Sequence, residues 1–276
     1  MPVETAPAKL NLALHVRARR PDGYHALETL FVFARDGDTV VVDGADQPSF
    51  DVTGPFAAMV GAARDNLVVR AERAFCDRFG IAAAHAITLD KHLPVASGIG
   101  GGSADAAATL RALARLHGIA SADPRLHDIA VGLGADVPAC LLGRAAFGSG
   151  RGDALAAIAG LGGRPALLVN PLVGVSTAAV FARWDGVDRG PLPAGDTLAR
   201  ALAGRNDLQP PAEALAPVIA RVVARLAACA GVVLARMSGS GATCFALFDD
   251  VVARDAATHA IAVAEPEWWR LSTTIG

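Results

Sequence analysis

The sequence predicts an α+β protein built in two halves. Strands with two-residue alternation and helices with 3.6-residue spacing are mixed along the chain. Its 276 residues are about twice a typical domain. A glycine-rich stretch, Phe147 to Gly163, falls near the middle and marks the exit from the first half, giving expected domains of 1–155 and 156–276.

The elements follow in order. Lys9 to Val16 alternates, with Leu10, Leu12, Leu14 and Val16 on one strand face and Lys9, Asn11 and His15 on the other. Pro21-Asp22-Gly23 predicts a turn that delivers Tyr24 and His25 into a strand over Leu27–Phe33. Thr39–Val42 and Phe50–Val52 read as further strands joined by a polar loop. Asp65 is the expected N-cap of a helix carrying Leu67, Val68, Ala71, Ala74, Phe75 and Phe79, with Gly80 as its stop. His85–Asp90 is a strand; an alanine-rich helix then ends near Gly118, and Asp123-Pro124 opens another. The second half predicts a strand over Ala166–Val169, a helix capped by Ser176, and helices around 196–203 and 212–229. Strands over Val232–Met237 and Thr243–Phe248, a helix over 251–263 and a strand near Trp268–Thr273 complete it.

Composition removes several function classes. With 53% hydrophobic and 19% charged residues the chain is no disordered polymer. The longest uncharged run, Pro165 to Ala182, is broken by Pro171 and Gly174 and is a poor bilayer span. A net charge of −2 offers no general field for nucleic acid or anionic membrane. Cys76, Cys140, Cys229 and Cys244 have no CxxC spacing and no histidine cluster beside them. This pattern predicts a reducing, cytoplasmic setting and argues against a zinc site.

Of 25 basic residues only Lys9 and Lys91 are lysine. A chain that uses arginine almost everywhere keeps lysine where a compact ammonium, rather than a planar guanidinium, is needed. Ser97 to Ser103 carries four glycines in seven residues and runs straight into a helix, so inward N–H groups and the helix N-terminus together make an anion cradle. It lacks the Gly-Lys-Ser/Thr ending of a Walker A loop, and Ser103 stands where a dinucleotide fingerprint needs glycine. Asp136, boxed between Gly134 and Pro138, reads equally as a helix cap or a base. Ser238-Gly239-Ser240-Gly241 reads as a tight hairpin or a ligand loop.

Taken in order, the Lys9 strand, the glycine-rich loop after Pro94 and the Ser-Gly-Ser-Gly loop resemble the three motifs of the GHMP kinases, the small-molecule kinases that include galactokinase, homoserine kinase, mevalonate kinase and phosphomevalonate kinase. Ala8-Lys9-Leu10-Asn11-Leu12, Pro21-Asp22-Gly23-Tyr24-His25, Asp65-Asn66-Leu67-Val68, Gly98 to Ala106, Leu133 to Pro138 and Ser238 to Phe245 are similar to one branch, the 4-diphosphocytidyl-2-C-methyl-D-erythritol kinases. The likeness runs from about residue 6 to 248. Ile99 stands where leucine is usual and Ala104 where a second serine is common.

The resemblance implies an N-terminal domain with a left-handed βαβ crossover, a ferredoxin-like C-terminal domain and an active site in the cleft between them. It implies transfer of the ATP γ-phosphoryl to the 2-hydroxyl of the cytidine-diphosphate-linked methylerythritol, in non-mevalonate isoprenoid synthesis, with Mg²⁺ on ligands left unassigned. Asp136 matches the catalytic base and Lys9 its partner. Asn11 falls on the polyol side, Thr177 is a further substrate-binding position, and Tyr24, His25 and Phe181 match the cytidine site. Pro94, Ser97, Gly98, Ile99, Gly100, Gly101, Gly102 and Ser103 match the phosphate loop. Asn66 and Lys91 match positions near adenine, and Ser238, Gly239, Ser240 and Gly241 form the third loop. The expected partner is a small molecule, with no nucleic acid and no membrane, for a monomer or weak homodimer. Two rivals are a sister kinase acting on another alcohol, opposed by the Tyr24-His25 pair, and a nucleotide sensor without catalysis, opposed by the intact Lys9 and Asp136.

Overall fold

The computed structural model describes residues 1–61 and 65–276. The alternation at Lys9–Val16 lies inside a longer strand, β1 (Val3–Arg19), and the two strands expected at 27–33 and 39–42 are one, β2 (His25–Ala45). The Arg35–Asp38 stretch between the two expected strands stays extended. Gly37 lies so near β1 that a Cβ there would be 2.0 Å from the Ala6 carbonyl oxygen, a close approach that only glycine permits. By its internal packing the chain divides into two units. The first comprises Met1–Ala8, Asp36–Val95 and Gly100–Gly143, and the second Lys9–Arg35, Ala96–Ile99 and Arg144–Gly276.

In the first unit, Thr39–Ala45 of β2 pairs antiparallel with β4 (Ala84–Asp90), and β3 (Ser49–Thr53) pairs parallel with β4. The parallel pair is joined through α1 (Leu67–Phe79), whose buried face is Val68, Ala71 and Phe75. Asn66, not Asp65, caps this helix: its Oδ1 accepts the Val68 N–H at 2.9 Å. The helix begins at Leu67, and a capping oxygen must come from the residue just before it to reach the N–H of the second or third helical residue. The helix α2 (Gly101–Leu116) is buried almost all round, because Ala106, Ala107, Ala108, Ala112 and Ala114 let its neighbours close in. Asp123 caps α3 (Pro124–Leu133) as its position predicts. A short helix not read from the sequence, α4 (Val137–Leu142), follows.

In the second unit, β7 (Arg164–Asn170), β8 (Val232–Met237), β9 (Cys244–Phe248) and β10 (Trp269–Ile275) form an antiparallel sheet ordered β10-β7-β9-β8. The first of these strands thus lies between the fourth and the third, the ferredoxin-like split β-α-β arrangement. Its apolar cluster joins Leu167, Val169, Cys244, Ala246 and Phe248 of the sheet to Ile219, Val222 and Leu226 of α8 (Val218–Ala227) and Ile261 of α9 (Val251–Ala264). Each such leucine or isoleucine contributes about 1.5–3 kcal/mol by leaving water. The single helix expected over 212–229 is two, α7 (Gln209–Leu215) and α8, because Pro217 cannot donate into a continuing helix. The glycine-rich exit begins in a hairpin: β5 (Ala146–Gly150) pairs with Leu27–Phe31 of β2 and with β6 (Ala154–Ala157). Its turn passes through Gly150 and Gly152, both at positive φ. The remaining helices are α5 (Thr177–Ala182) and α6 (Thr197–Ala203).

Candidate active site

In the second unit both faces of β1 are covered, so Lys9 and Asn11 are as buried as the leucines between them. A buried polar side chain must be hydrogen-bonded. Asn11 Nδ2 donates to Thr29 Oγ1 at 2.7 Å, Thr29 Oγ1 donates to the Ala13 carbonyl at 2.8 Å, and Lys9 Nζ donates to Asn11 Oδ1 at 3.1 Å. That chain sets the amide's orientation and aims its oxygen at the ammonium, which lies 4.8 Å from the Phe31 ring centre.

The start of the glycine-rich segment is tied down through its carbonyls. Thr243 N–H donates to the Ser97 oxygen, Ser238 Oγ to the Gly98 oxygen and Lys9 N–H to the Ile99 oxygen. Ser238 Oγ also accepts the Asn11 N–H at 3.1 Å, and Asn206 Nδ2 donates to the carbonyls of Met237 and Gly239. The Ser-Gly-Ser-Gly segment links antiparallel β8 and β9, so the hairpin reading holds, and it also braces the glycine-rich loop. Gly98, at φ +77°, would place a Cβ 2.6–2.8 Å from Gly241 and Ser238 backbone atoms, so close packing explains this glycine. Ile99 is fully buried, and Ser97 and Pro94 are buried too.

On α5, Thr177 and Phe181 share a face at i, i+4 spacing. Thr177 Oγ1 lies 2.8 Å from Ser240 Oγ, and the Phe181 ring lies against His25, centroids 4.8 Å apart. Trp184 meets the same imidazole edge-on at 5.7 Å. His25 Nε2 is buried without a hydrogen-bond partner among the described residues. Burial, helped by the Arg19 charge, lowers the His25 pKa, so the ring is neutral at pH 7. Tyr24 is 54% exposed, with the Arg151 guanidinium 5.2 Å from its ring centre.

In the first unit Gly100, at φ +64°, is the N-cap of α2 and offers no side-chain cap. The Gly101, Gly102 and Ser103 N–H groups open a helix with no acidic residue in its first turn, leaving the partial positive charge uncompensated. Beneath this turn Lys91 Nζ donates to Asp38 Oδ2 at 2.5 Å and to Asp105 Oδ2 at 2.6 Å. Asp38 Oδ1 accepts the N–H groups of His92 and Leu93. A Cβ at Gly101 would lie 3.2 Å from that ammonium. Burial works against the Lys91 charge, and the two carboxylates overcome it, holding its pKa above the usual value. Burial raises Asp105 to about 7, Lys91 opposing and Asp38 reinforcing the shift. Asn66 spends its side-chain oxygen capping α1. Asp136 occupies the N-cap position of α4, and its carboxylate makes no capping bond there.

Two family models match the chain: GHMP kinases N terminal domain over residues 66–144 and GHMP kinases C terminal over 193–264. A 4-diphosphocytidyl-2-C-methyl-D-erythritol kinase of Rhizorhabdus wittichii is 58% identical over 99% of this chain and 94% of its own length. The enzyme of that name from Sphingopyxis alaskensis is 49% identical, covering 98% and 96%. The chain belongs to the 4-diphosphocytidyl-2-C-methyl-D-erythritol kinase family. A crystal structure of 4-(cytidine 5'-diphospho)-2C-methyl-D-erythritol kinase superposes with a TM-score of 0.84 at 35% identity, covering 100% and 99% of the two chains. Homoserine kinase from Cytophaga hutchinsonii, at TM-score 0.70 and 18% identity over 99% and 94%, shares the fold. The α+β GHMP kinase fold is therefore the architecture of this kinase-family chain.

Some buried polar residues around these segments were not among the sequence candidates. Asp38, Thr29 and Asn206 find their partners far along the chain and carry no local signal. Asp105 did carry one: it is the only charged residue between Gly98 and Leu110, in a run too apolar for a surface helix.

Proposed function

We propose that this kinase transfers the γ-phosphoryl of ATP to the 2-hydroxyl of 4-diphosphocytidyl-2-C-methyl-D-erythritol, a step of non-mevalonate isoprenoid precursor synthesis. The observation that carries this reading is the 58% identity, over nearly the full chain, with a relative bearing that name. The residues suit the chemistry, which asks for positioned phosphates, charge stabilisation and a proton acceptor. The uncapped N-terminus of α2 supplies N–H donors and positive potential for phosphate oxygens, with Ser97 to Ser103 and the preceding Pro94 as the loop.

In the reaction the acceptor oxygen bonds to the γ-phosphorus, the β–γ bridging bond breaks, and ADP departs. Asp136 takes the hydroxyl proton. Lys9 orients the hydroxyl and offsets developing negative charge, and Asn11, held by Thr29, orients the polyol beside Thr177. When bound, Mg²⁺ would neutralise charge on the phosphates; Ala104 has no hydroxyl to offer, so Ser103 would be the first-turn hydroxyl available to hold it. Asn66 and Lys91 stand on the adenine side, Lys91 acting through the first turn of α2 that it supports. His25 reads the cytosine edge through Nε2, with Phe181 and Tyr24 as stacking faces; the partnerless, buried Nε2 supports that role. Ser238, Gly239, Ser240 and Gly241 brace the phosphate loop.

The same reading divides the chain near residue 155 into a catalytic and a C-terminal domain, supported by family matches that lie on either side. It describes a cytoplasmic enzyme acting on a small molecule as a monomer or weak homodimer. No described helix is long and apolar enough to cross a membrane. A coupled ADP-release assay across candidate alcohols, each with and without the cytidylyl group, tests the reading. Turnover confined to the cytidine-linked acceptor is expected. Preferred turnover of an amino-acid or hydroxy-acid alcohol would replace it with a sister GHMP activity.

A further inference from the structure

Away from the phosphate loop, the first unit gathers side chains that the reaction does not use. Glu72 and Cys76 lie one turn apart on α1, His85 stands on β4, and His117 ends α2. Glu72 Oε1, Cys76 Sγ and His85 Nδ1 point at one another, with O···N 2.9 Å, S···O 3.5 Å and S···N 3.9 Å. Bond lengths of about 2.0–2.3 Å at tetrahedral angles require ligand–ligand separations of about 3.3–3.6 Å. Each edge of this triangle is thus within a few tenths of an ångström of that range.

We propose that Glu72, Cys76 and His85 form a binding site for a zinc-type divalent transition metal. One oxygen, one sulfur and one imidazole nitrogen make a donor set that suits zinc or cobalt and disfavours magnesium or calcium, so the site is distinct from any phosphate-bound Mg²⁺. Three protein ligands leave the fourth position to water. His117 completes the pattern from behind. Its Nε2 lies 2.8 Å from His85 Nε2, on the far side of the ring from Nδ1, so it orients the ligand and does not bind the metal.

The protons balance. With no metal, His85 Nδ1–H donates to Glu72 and His117 Nε2–H donates to His85 Nε2. On binding, Nδ1 gives its proton to solvent and takes the ion, while Nε2 accepts the proton of His117 Nε2. His117 regains one at Nδ1 from solvent, and the net release is the single thiol proton of Cys76. The ion would tie α1, β4 and the end of α2 together. The spacing of the cysteines concealed this, because the ligands come from two elements, α1 and β4, and no two cysteines or histidines form a metal-binding sequence motif.

The test uses the full-length protein, stripped with a chelator and titrated with Co²⁺. One equivalent should produce the intense visible bands of four-coordinate cobalt and a thiolate-to-cobalt charge-transfer band, both abolished by Zn²⁺. Cys76→Ser should lose the charge-transfer band, and His117→Gln should weaken affinity about 10- to 100-fold while keeping the spectrum. His85 is fully buried and its replacement can unfold the unit, so unmodified protein supplies a second measurement. Zn²⁺ should protect Cys76 from alkylation while Cys229 stays reactive, read by peptide mass. Absence of the cobalt spectrum at one equivalent, its survival in Cys76→Ser, or equal alkylation of Cys76 with and without Zn²⁺ overturns the proposal.

Discussion

At the scale of single residues, the two lysines answer to different demands. Lys9 reaches Asn11 Oδ1 from a fully covered strand, and Lys91 satisfies two carboxylates from a buried point. Neither place suits a planar fork that needs room for five donors. Lys9→Arg should therefore lose most activity although the charge is kept, and normal turnover by that variant would reduce Lys9 to a charge. Asp136→Asn should lower kcat by about 10²- to 10⁴-fold with ATP affinity nearly intact, the range for a general base. A kcat within about twofold of the parent, with chemistry rate-limiting, would remove Asp136 from that role. His25 adds a pH signature. Its pKa lies below the ordinary 6.5, so its contribution to stability is present above 6.5 and is lost as pH falls through the depressed value. The neutral ring is the form able to read a base edge by donating and accepting. KM for the acceptor should rise on acidification, and in His25→Gln, KM should be higher throughout and lose that acid limb.

At the scale of elements, the glycines of one loop divide their labour. Gly98 is needed by the hairpin packed on it, whereas Gly100 opens α2. Gly98→Ala should cost stability, about 1–2 kcal/mol from the left-handed backbone alone, more from the contact, read as a lower denaturation midpoint. Gly100→Val should instead reduce ATP affinity at least about tenfold by calorimetry, since it strains the turn that presents the phosphate donors. ATP affinity unchanged in Gly100→Val would make the loop purely structural. The α2 helix carries a second expectation. Asp105, raised to about 7, favours the folded state fully below 3.8, and that contribution is lost as pH rises through about 7. Asp105→Asn keeps an acceptor for Lys91 and should flatten stability against pH across that interval, measured by urea unfolding.

At the scale of the whole molecule, the acceptor is long, and the residues assigned to its cytidine end belong to the second unit. Binding energy from that end positions a hydroxyl several bonds away, and loss of positioning appears in kcat as well as KM. Methylerythritol phosphate without the cytidylyl group should be a very poor acceptor on both counts. Tyr24→Ala should weaken the full acceptor by about 1–3 kcal/mol and barely alter ATP binding, as expected for one base–aromatic stack. Equal kcat/KM for the truncated and full acceptors would move the protein to another alcohol kinase of the same fold.

The alternation of β1, the helical spacing of α1 and the glycine run before α2 were legible because each depends on neighbours a few residues away. So was the kinase family, whose motifs are contiguous segments. The joining of two expected strands into β2 was not legible, because Gly37 stays extended only where the Ala6 backbone crosses it. The splitting of the 212–229 helix, by contrast, does carry a local mark in Pro217. The Lys91 triad spans 53 residues to Asp38, and the Glu72-Cys76-His85 cluster draws on a helix and a strand. A buried charge or ligand set is selected by what surrounds it in three dimensions, where desolvation leaves only paired arrangements stable. Linear spacing carries the local rules of backbone and period; which distant side chains meet is decided by the packing of whole elements.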